Sequence, residues 1–218
     1  SIYVVDCSGD YLKISEEILI TPNNKQNIGF GNAVNLAVSK IEEKPDFIFL
    51  INPDVIFEIN DIDKMLLCLS NSENGAVVPI PLGSKNSVKT SVFRKKIGIF
   101  EEIKMGFKSY RKSLVIEKLI NTRNKCLKIE FIDASFCLMK YECFINSGGF
   151  PKSIFMYGED LVISHRIKKN GYSIIRFPVN FNKKKRRFGE GSSDSLNKKI
   201  KGSFEQLYQL IIILFKLN

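Results

Sequence analysis

The sequence is poor in the residues and patterns that mark several large function classes. It has a single histidine, His165, with no Ser-His-Asp or His-x-x-x-His spacing around it, so a hydrolytic triad or a histidine-held zinc has no support. His165 reads as a surface or helix-packing residue. The 5 cysteines form no Cys-x-x-Cys pair. That odd number and spacing predict reduced thiols in a cytoplasmic protein, with Cys137 and Cys143 as small core residues, rather than disulfides or a zinc site. The longest unbroken apolar run, Leu210 to Phe215, falls far short of the roughly 20 residues a membrane-spanning helix needs. The opening Ser-Ile-Tyr-Val-Val-Asp shows neither the basic start nor the cleavage site of a signal peptide. Gly29-x-Gly31 lacks the third glycine of a dinucleotide fingerprint.

What is present is an ordinary globular composition, 44% apolar and 26% charged over 218 residues, with a net charge of +10. That charge is unevenly placed. Residues 1–84 hold 5 basic and 12 acidic groups, net −7, whereas residues 85–128 hold 13 basic and 3 acidic, net +10. Residues 183–218 add +6, including the run Lys183-Lys184-Lys185-Arg186-Arg187. Such a surplus is either an ordinary solvated surface or a preference for phosphate-bearing partners such as nucleotides and anionic lipid headgroups. Nucleic acid is disfavoured, because no helix-turn-helix, RNP or zinc-finger pattern accompanies the basic stretches.

Strand-like runs at 2–5, 18–20, 47–51, 76–79, 128–132, 136–139 and 172–177 alternate with helical patterns at 32–41, 61–69 and 159–170, which predicts an α/β sheet with right-handed crossovers. Phe47 to Ile51 is apolar without alternation, as in a strand buried on both faces. Gly171 should end the last of those helices at its C′ position. Residues 85–128 break the rhythm and read as an inserted strand near 87–93 followed by a helix between 101 and 121. A C-terminal helix from about Ser195 repeats Phe204, Leu207, Ile211, Leu214 and Phe215 at helical spacing. In a parallel α/β sheet, ligands bind beyond the carboxyl ends of the strands. Asp6, Asn52 with Asp54, and Glu159 with Asp160 stand at such ends. Asn-Pro-Asp can be simply a turn, and Glu159-Asp160 simply the favourable acidic start of a helix.

The order of motifs is more telling than any one of them: Val-Val-Asp6-Cys-Ser-Gly-Asp, Asn27-Ile-Gly-Phe-Gly-Asn-Ala-Val-Asn35, Phe-Leu-Ile-Asn-Pro-Asp54-Val, then Gly148-Gly-Phe-Pro-Lys-Ser-Ile-Phe-Met-Tyr-Gly-Glu-Asp160-Leu. Residues 2 to about 178 thereby resemble glycosyltransferase family 2, in particular the rhamnosyltransferase-like branch of bacterial surface polysaccharide synthesis (O-antigen, capsule). The resemblance implies a GT-A-like three-layer α/β sandwich with a mostly parallel central sheet. Residues 1–182 would form that domain, and 183–218 a basic loop with an amphipathic helix. It implies an inverting transfer of a sugar from a nucleotide-diphosphate donor to a lipid-linked glycan.

By the same resemblance, Asp160 is the general base with Glu159 beside it. Asp6, Asn27, Gly29, Asn35 and Asn52 shape the donor site, and Asp54 holds Mg²⁺ or Mn²⁺ as the second position of the Asp-x-Asp element. Ser135, Gly149 and Tyr157 face the acceptor. The family also has a strand ahead of the position of Asp6 that this sequence does not show, and Arg187 stands where a metal-binding histidine is usual. Arg186 and Arg187 are therefore expected to neutralise the donor diphosphate. Peripheral contact with an anionic cytoplasmic membrane face follows from the basic stretches and the last helix, which can equally pack on the domain or on a second copy as a homodimer. A non-catalytic nucleotide-sugar-binding relative and a nucleotidyltransferase remain alternatives.

Overall fold

The computed structural model describes residues 1–6, 17–22, 27–53, 55–81, 126–155, 158–179 and 181–183. Strand β1 (Tyr3–Val5) pairs in parallel with β2 (Ile18–Ile20). Helix α1 (Phe30–Val38) follows, carrying Phe30, Val34 and Val38 on the stripe that meets the core. Strand β3 (Phe47–Ile51) and strand β4 (Val55–Phe57) flank a tight turn, and helix α2 (Ile59–Leu69) buries Met65, Cys68 and Leu69, one face at i, i+3 and i+4. Strand β5 (Asn74–Pro81) precedes the basic stretch. Beyond it come β6 (Leu127–Ile129), β7 (Phe136–Lys140), α3 (Tyr141–Asn146), α4 (Glu159–Lys169), β8 (Ser173–Val179) and β9 (Phe181–Lys183).

Five strands form the central sheet in the order β3-β7-β5-β8-β6. Pairing is antiparallel for β3 with β7, β7 with β5 and β8 with β6, and parallel for β5 with β8. Strands β3, β5 and β8 thus run one way and β6 and β7 the other, a mixed sheet. Alternation along the strands splits the core in two. Ile48, Leu50, Ala76, Val78, Cys137, Met139 and Ile174 face α1, α3 and α4, while Val77, Phe136, Leu138, Ile175, Phe177 and Val179 face α2. The result is the expected three-layer α/β sandwich. On the α2 side, Phe136 packs against Phe49 and Phe57 with ring centroids 5.3 and 5.4 Å away, each aromatic pair adding about 0.5–1.5 kcal/mol to the area it buries.

Two expectations change. Cysteine spacing predicted reduced thiols throughout, yet Cys68 at the end of α2 is disulfide-bonded to Cys126, immediately before β6. The partners lie 58 residues apart in sequence, a pairing that no local spacing reveals. Cys137 and Cys143 are buried free thiols, as expected of core residues. Strand β3 was expected to be covered on both faces. Its middle is, but Phe47 and Ile51 at its ends are exposed, because β7 is its only hydrogen-bonded neighbour among the described residues. Cys7, the strand near 87–93, the helix between 101 and 121 and the C-terminal helix lie outside the described residues.

Candidate active site

Because β3, β5 and β8 are parallel, their carboxyl ends open on one edge of the sheet. The β3 end runs into Asn52-Pro53-Asp54-Val55, closed by a bond from Val55 N–H to the Asn52 carbonyl at 3.1 Å. Proline at the second position suits such a turn, since its φ is already set. The Asn52 N–H donates to the Ser135 carbonyl at 2.8 Å, tying this turn to the loop that enters β7. In that loop Asp133 Oδ1 accepts from the Ser135 N–H at 3.0 Å and from the Ser135 hydroxyl at 2.5 Å. Asp6 is buried just past β1, its N–H bonded to the Ile20 carbonyl.

Helix α4 brings the second pair of carboxylates. Gly158, at φ 107°, supplies the left-handed entry, and both Leu161 and Val162 donate to its carbonyl. Glu159 and Asp160 then occupy the first turn, where the helix dipole favours negative charge. At the other end, Gly171 (φ 82°) donates to Lys168 O and Tyr172 to Ile167 O, the paired bonds of a Schellman stop, which turns the chain back into β8 and sets α4 antiparallel to it. The Glu159 end of α4 therefore lies at the carboxyl edge of the sheet. One turn in, the Ser164 hydroxyl donates to the Asp160 carbonyl and accepts from the Ile132 N–H at 2.9 Å, pinning α4 to the loop of Asp133 and Ser135. Burial drives the Cys137 thiol well above its ordinary range, and negative charge on Asp160 and Asp133 adds to it. Both carboxylates thus act on the same point of β7.

Asn52, Ser135, Glu159 and Asp160 accordingly share the carboxyl edge, while Asp6 ends a strand of the separate β1–β2 pair. Asn27, Gly29, Asn35 and Gly149 lie instead at α1 and the segment packed on it. Asn27 Oδ1 accepts from the Gly29 N–H at 3.0 Å, shaping the entry to α1. Asn35 is bonded through both ends of its carboxamide to Phe150, whose neighbour Gly149 (φ 62°) lies against it. Asp54, Tyr157, Arg186 and Arg187 lie outside the described residues. Lys183, where the basic run begins, pairs with Val55, the residue after Asp54.

Two charged residues were missed from sequence. Asp133 sits between two predicted strands, where a carboxylate is unremarkable turn chemistry. Arg176 is 3% exposed on the same sheet face as Ile174, and burial lowers its guanidinium to about 9. Its signal was visible, a lone cation in the apolar strand Ile174-Ile175-Arg176-Phe177. His165 is half-buried, its affinity for a proton lowered by burial and then by Lys168 and Lys169. No helix among the described residues is long and apolar enough to cross a membrane.

No family model matches the chain, and no curated protein matches it. Among solved structures it is similar to GalNAc-T7 with UDP, GalNAc and Mn²⁺, at a TM-score of 0.55 and 13% identity, over 85% of this chain and 36% of that one. It is also similar to the mannosyltransferase PcManGT from Pyrobaculum calidifontis in complex with GDP-Man and Mn²⁺, at a TM-score of 0.50 and 15% identity, over 88% of this chain and 52% of that one. The chain thus spans about a third to a half of the length of these two proteins. The fold is GT-A-like.

Proposed function

We propose that this chain carries the donor site and the base of an inverting glycosyltransferase of the family 2 type, which takes a sugar from a nucleotide diphosphate to a hydroxyl of a lipid-linked glycan at an anionic membrane face. The observation that supports this reading is the meeting, at one edge of a GT-A-like sheet, of the turn that begins at Asn52, the Asp133–Ser135 loop and the first turn of α4.

In this reading Asp160, supported by Glu159, accepts the acceptor's hydroxyl proton. The acceptor oxygen forms its bond to C1 from the face opposite the diphosphate, the bond from C1 to the phosphate oxygen breaks, and the nucleoside diphosphate leaves as an anion. Asp6 and the Asn27–Gly29 loop border the nucleotide. Ser135, Gly149 and Tyr157 lie toward the acceptor. Asp54 would hold Mg²⁺ or Mn²⁺ as a hard oxygen ligand, and such ions are commonly bound by one or two carboxylates together with substrate phosphates. When bound, such an ion would supply positive charge to the leaving diphosphate. Pairing of Lys183 with Val55 starts the basic run beside the same turn, which supports a part for Arg186 and Arg187 in holding the diphosphate.

The test is release of nucleoside diphosphate from UDP-glucose, dTDP-rhamnose and GDP-mannose, each with a bacterial membrane lipid extract as the source of glycan acceptor. One donor should turn over, and Asp160→Asn should cut kcat by about 100-fold or more while nucleotide affinity stays within about threefold. Turnover by Asp160→Asn equal to the parent would remove Asp160 from the chemistry. Loss of liposome binding on deleting residues 203–218 checks the membrane contact separately.

A further inference from the structure

The segment Gly148–Phe155 is fastened to α1 at Phe150 and Lys152. Asn35 Nδ2 donates to the Phe150 carbonyl at 2.9 Å while its Oδ1 accepts from the Phe150 N–H at 3.0 Å, so one carboxamide satisfies both polar groups of one residue. Asn32 Nδ2 reaches the Lys152 carbonyl at 3.2 Å. From the other side, Arg166 of α4 donates through Nη1 to the Gly149 carbonyl at 3.1 Å. The Phe150 ring is buried, meeting Phe30 of α1 and Phe144 of α3 edge-on.

Three glycines make this approach possible. A Cβ on Gly31 would stand 2.9 Å from Phe150 Cβ, one on Gly149 2.6 Å from Asn35 Oδ1, and one on Gly29 2.0 Å from the Phe155 carbonyl oxygen. Phe155 in turn precedes Gly158 by three residues, at most about 11 Å of extended chain. The strap therefore links the entry of α1 to the turn that carries Glu159 and Asp160.

We infer that Asn35 is a positioning residue, one that touches no substrate and sets where the Glu159-Asp160 turn stands relative to the α1 entry. This rests on the proposed function, in which those two places hold the base and border the donor. Displacement of a reacting group by about 1 Å costs on the order of 100-fold in rate, so a loosened strap is read in turnover rather than in affinity.

The test compares the parent with Asn35→Ala, Asn35→Asp and Arg166→Gln, all held well below their melting temperatures. Nucleoside diphosphate release gives kcat and KM for the donor that the parent turns over, titration calorimetry gives the Kd of its nucleoside diphosphate, and hydrogen exchange follows the amides of Leu161 and Val162. The expected result for Asn35→Ala is a kcat lower by about 10- to 100-fold, a Kd within about threefold, and Leu161 and Val162 exchanging about 10-fold faster. Asn35→Asp keeps the acceptor for the Phe150 N–H and should fall between the parent and Asn35→Ala, and it carries the test if Asn35→Ala does not fold. Arg166→Gln should repeat the pattern, and its effect should be non-additive with that of Asn35→Ala.

A Kd raised 10-fold or more would make Asn35 a direct donor contact and overturn the inference. A lowered melting temperature with kcat and exchange unchanged would leave it a purely structural residue and overturn it equally. A parent protein that neither binds a nucleoside diphosphate nor releases one fails before any variant is made. That result overturns the proposed function, and this inference with it.

Discussion

Gly29 and Gly171 both hold a positive φ, 81° and 82°, but their surroundings are opposite. A Cβ added at Gly171 meets no heavy atom within 4 Å, whereas one added at Gly29 would lie 2.0 Å from the Phe155 oxygen and 2.8 Å from its carbonyl carbon. Alanine at Gly171 therefore carries only the left-handed backbone penalty, about 1–2 kcal/mol. Alanine at Gly29 carries a backbone penalty of about 1–3 kcal/mol, because φ 81° with ψ 159° lies in a region used almost only by glycine. It must in addition push back main-chain atoms, with a repacking cost of about 1–3 kcal/mol. The strap cannot retreat freely, since Asn32 and Asn35 hold it at Lys152 and Phe150. The expected loss for Gly29→Ala is about 4 kcal/mol, against about 1.5 kcal/mol for Gly171→Ala. Urea unfolding at 25 °C followed by circular dichroism measures both, the slope confirming a comparable change in exposed surface. Equal losses within about 0.5 kcal/mol would refute the close approach of α1 to Phe155, and with it the strap.

Other outcomes follow from the same structure. Reducing the disulfide between Cys68 and Cys126, or replacing both by serine, should cost about 4 kcal/mol by the loop-entropy relation for a separation of 58 residues, read as a lower urea midpoint under a dithiol reductant. His165, the single histidine, gives one pair of imidazole C–H resonances in a proton NMR titration, and their common midpoint should lie below 6.5, since burial disfavours the cation. As pH falls through 6.5 the unfolded chain gains a proton that the folded chain refuses. The His165 contribution to stability is thus full above 6.5 and declines below it, and His165→Gln should flatten that slope. Burial pushes the Cys143 thiol up to about 12, so it should resist iodoacetamide at pH 8 until the protein is unfolded.

Much of this architecture was readable because its signals are local. The apolar run Phe47–Ile51 appears with the bounds expected, and Gly171 ends α4 as its position suggested, since backbone freedom is a property of that residue alone. The ribbon of β4 with β9 was not readable. Val55–Phe57 follows a proline turn and Phe181–Lys183 runs into the basic stretch, so only their pairing with each other across the chain marks them as strands. Helix α3, six residues long, is short for the same kind of detection. Asn35 was noticed as part of a motif, but its partner Phe150 stands 115 residues away, so its bonds were invisible before the fold was known. Asn52 after β3 and Glu159-Asp160 at the start of α4 stand where the runs of apolar and helical residues placed them, because strand and helix ends are set by local pattern.

The central claim is that the carboxyl edge of this sheet binds a nucleoside diphosphate. A thermal-shift titration with UDP, dTDP and GDP, each with and without Mn²⁺, tests it most directly, because a ligand of the native state alone raises stability by about 2.7 kcal/mol at a hundredfold excess over Kd. For a domain of this size that corresponds to an increase of about 5–10 °C in Tm. One diphosphate should produce it, and Asp54→Ala should abolish whatever part depends on Mn²⁺. A Tm unmoved by all three at millimolar concentration, with and without the metal, would contradict the account.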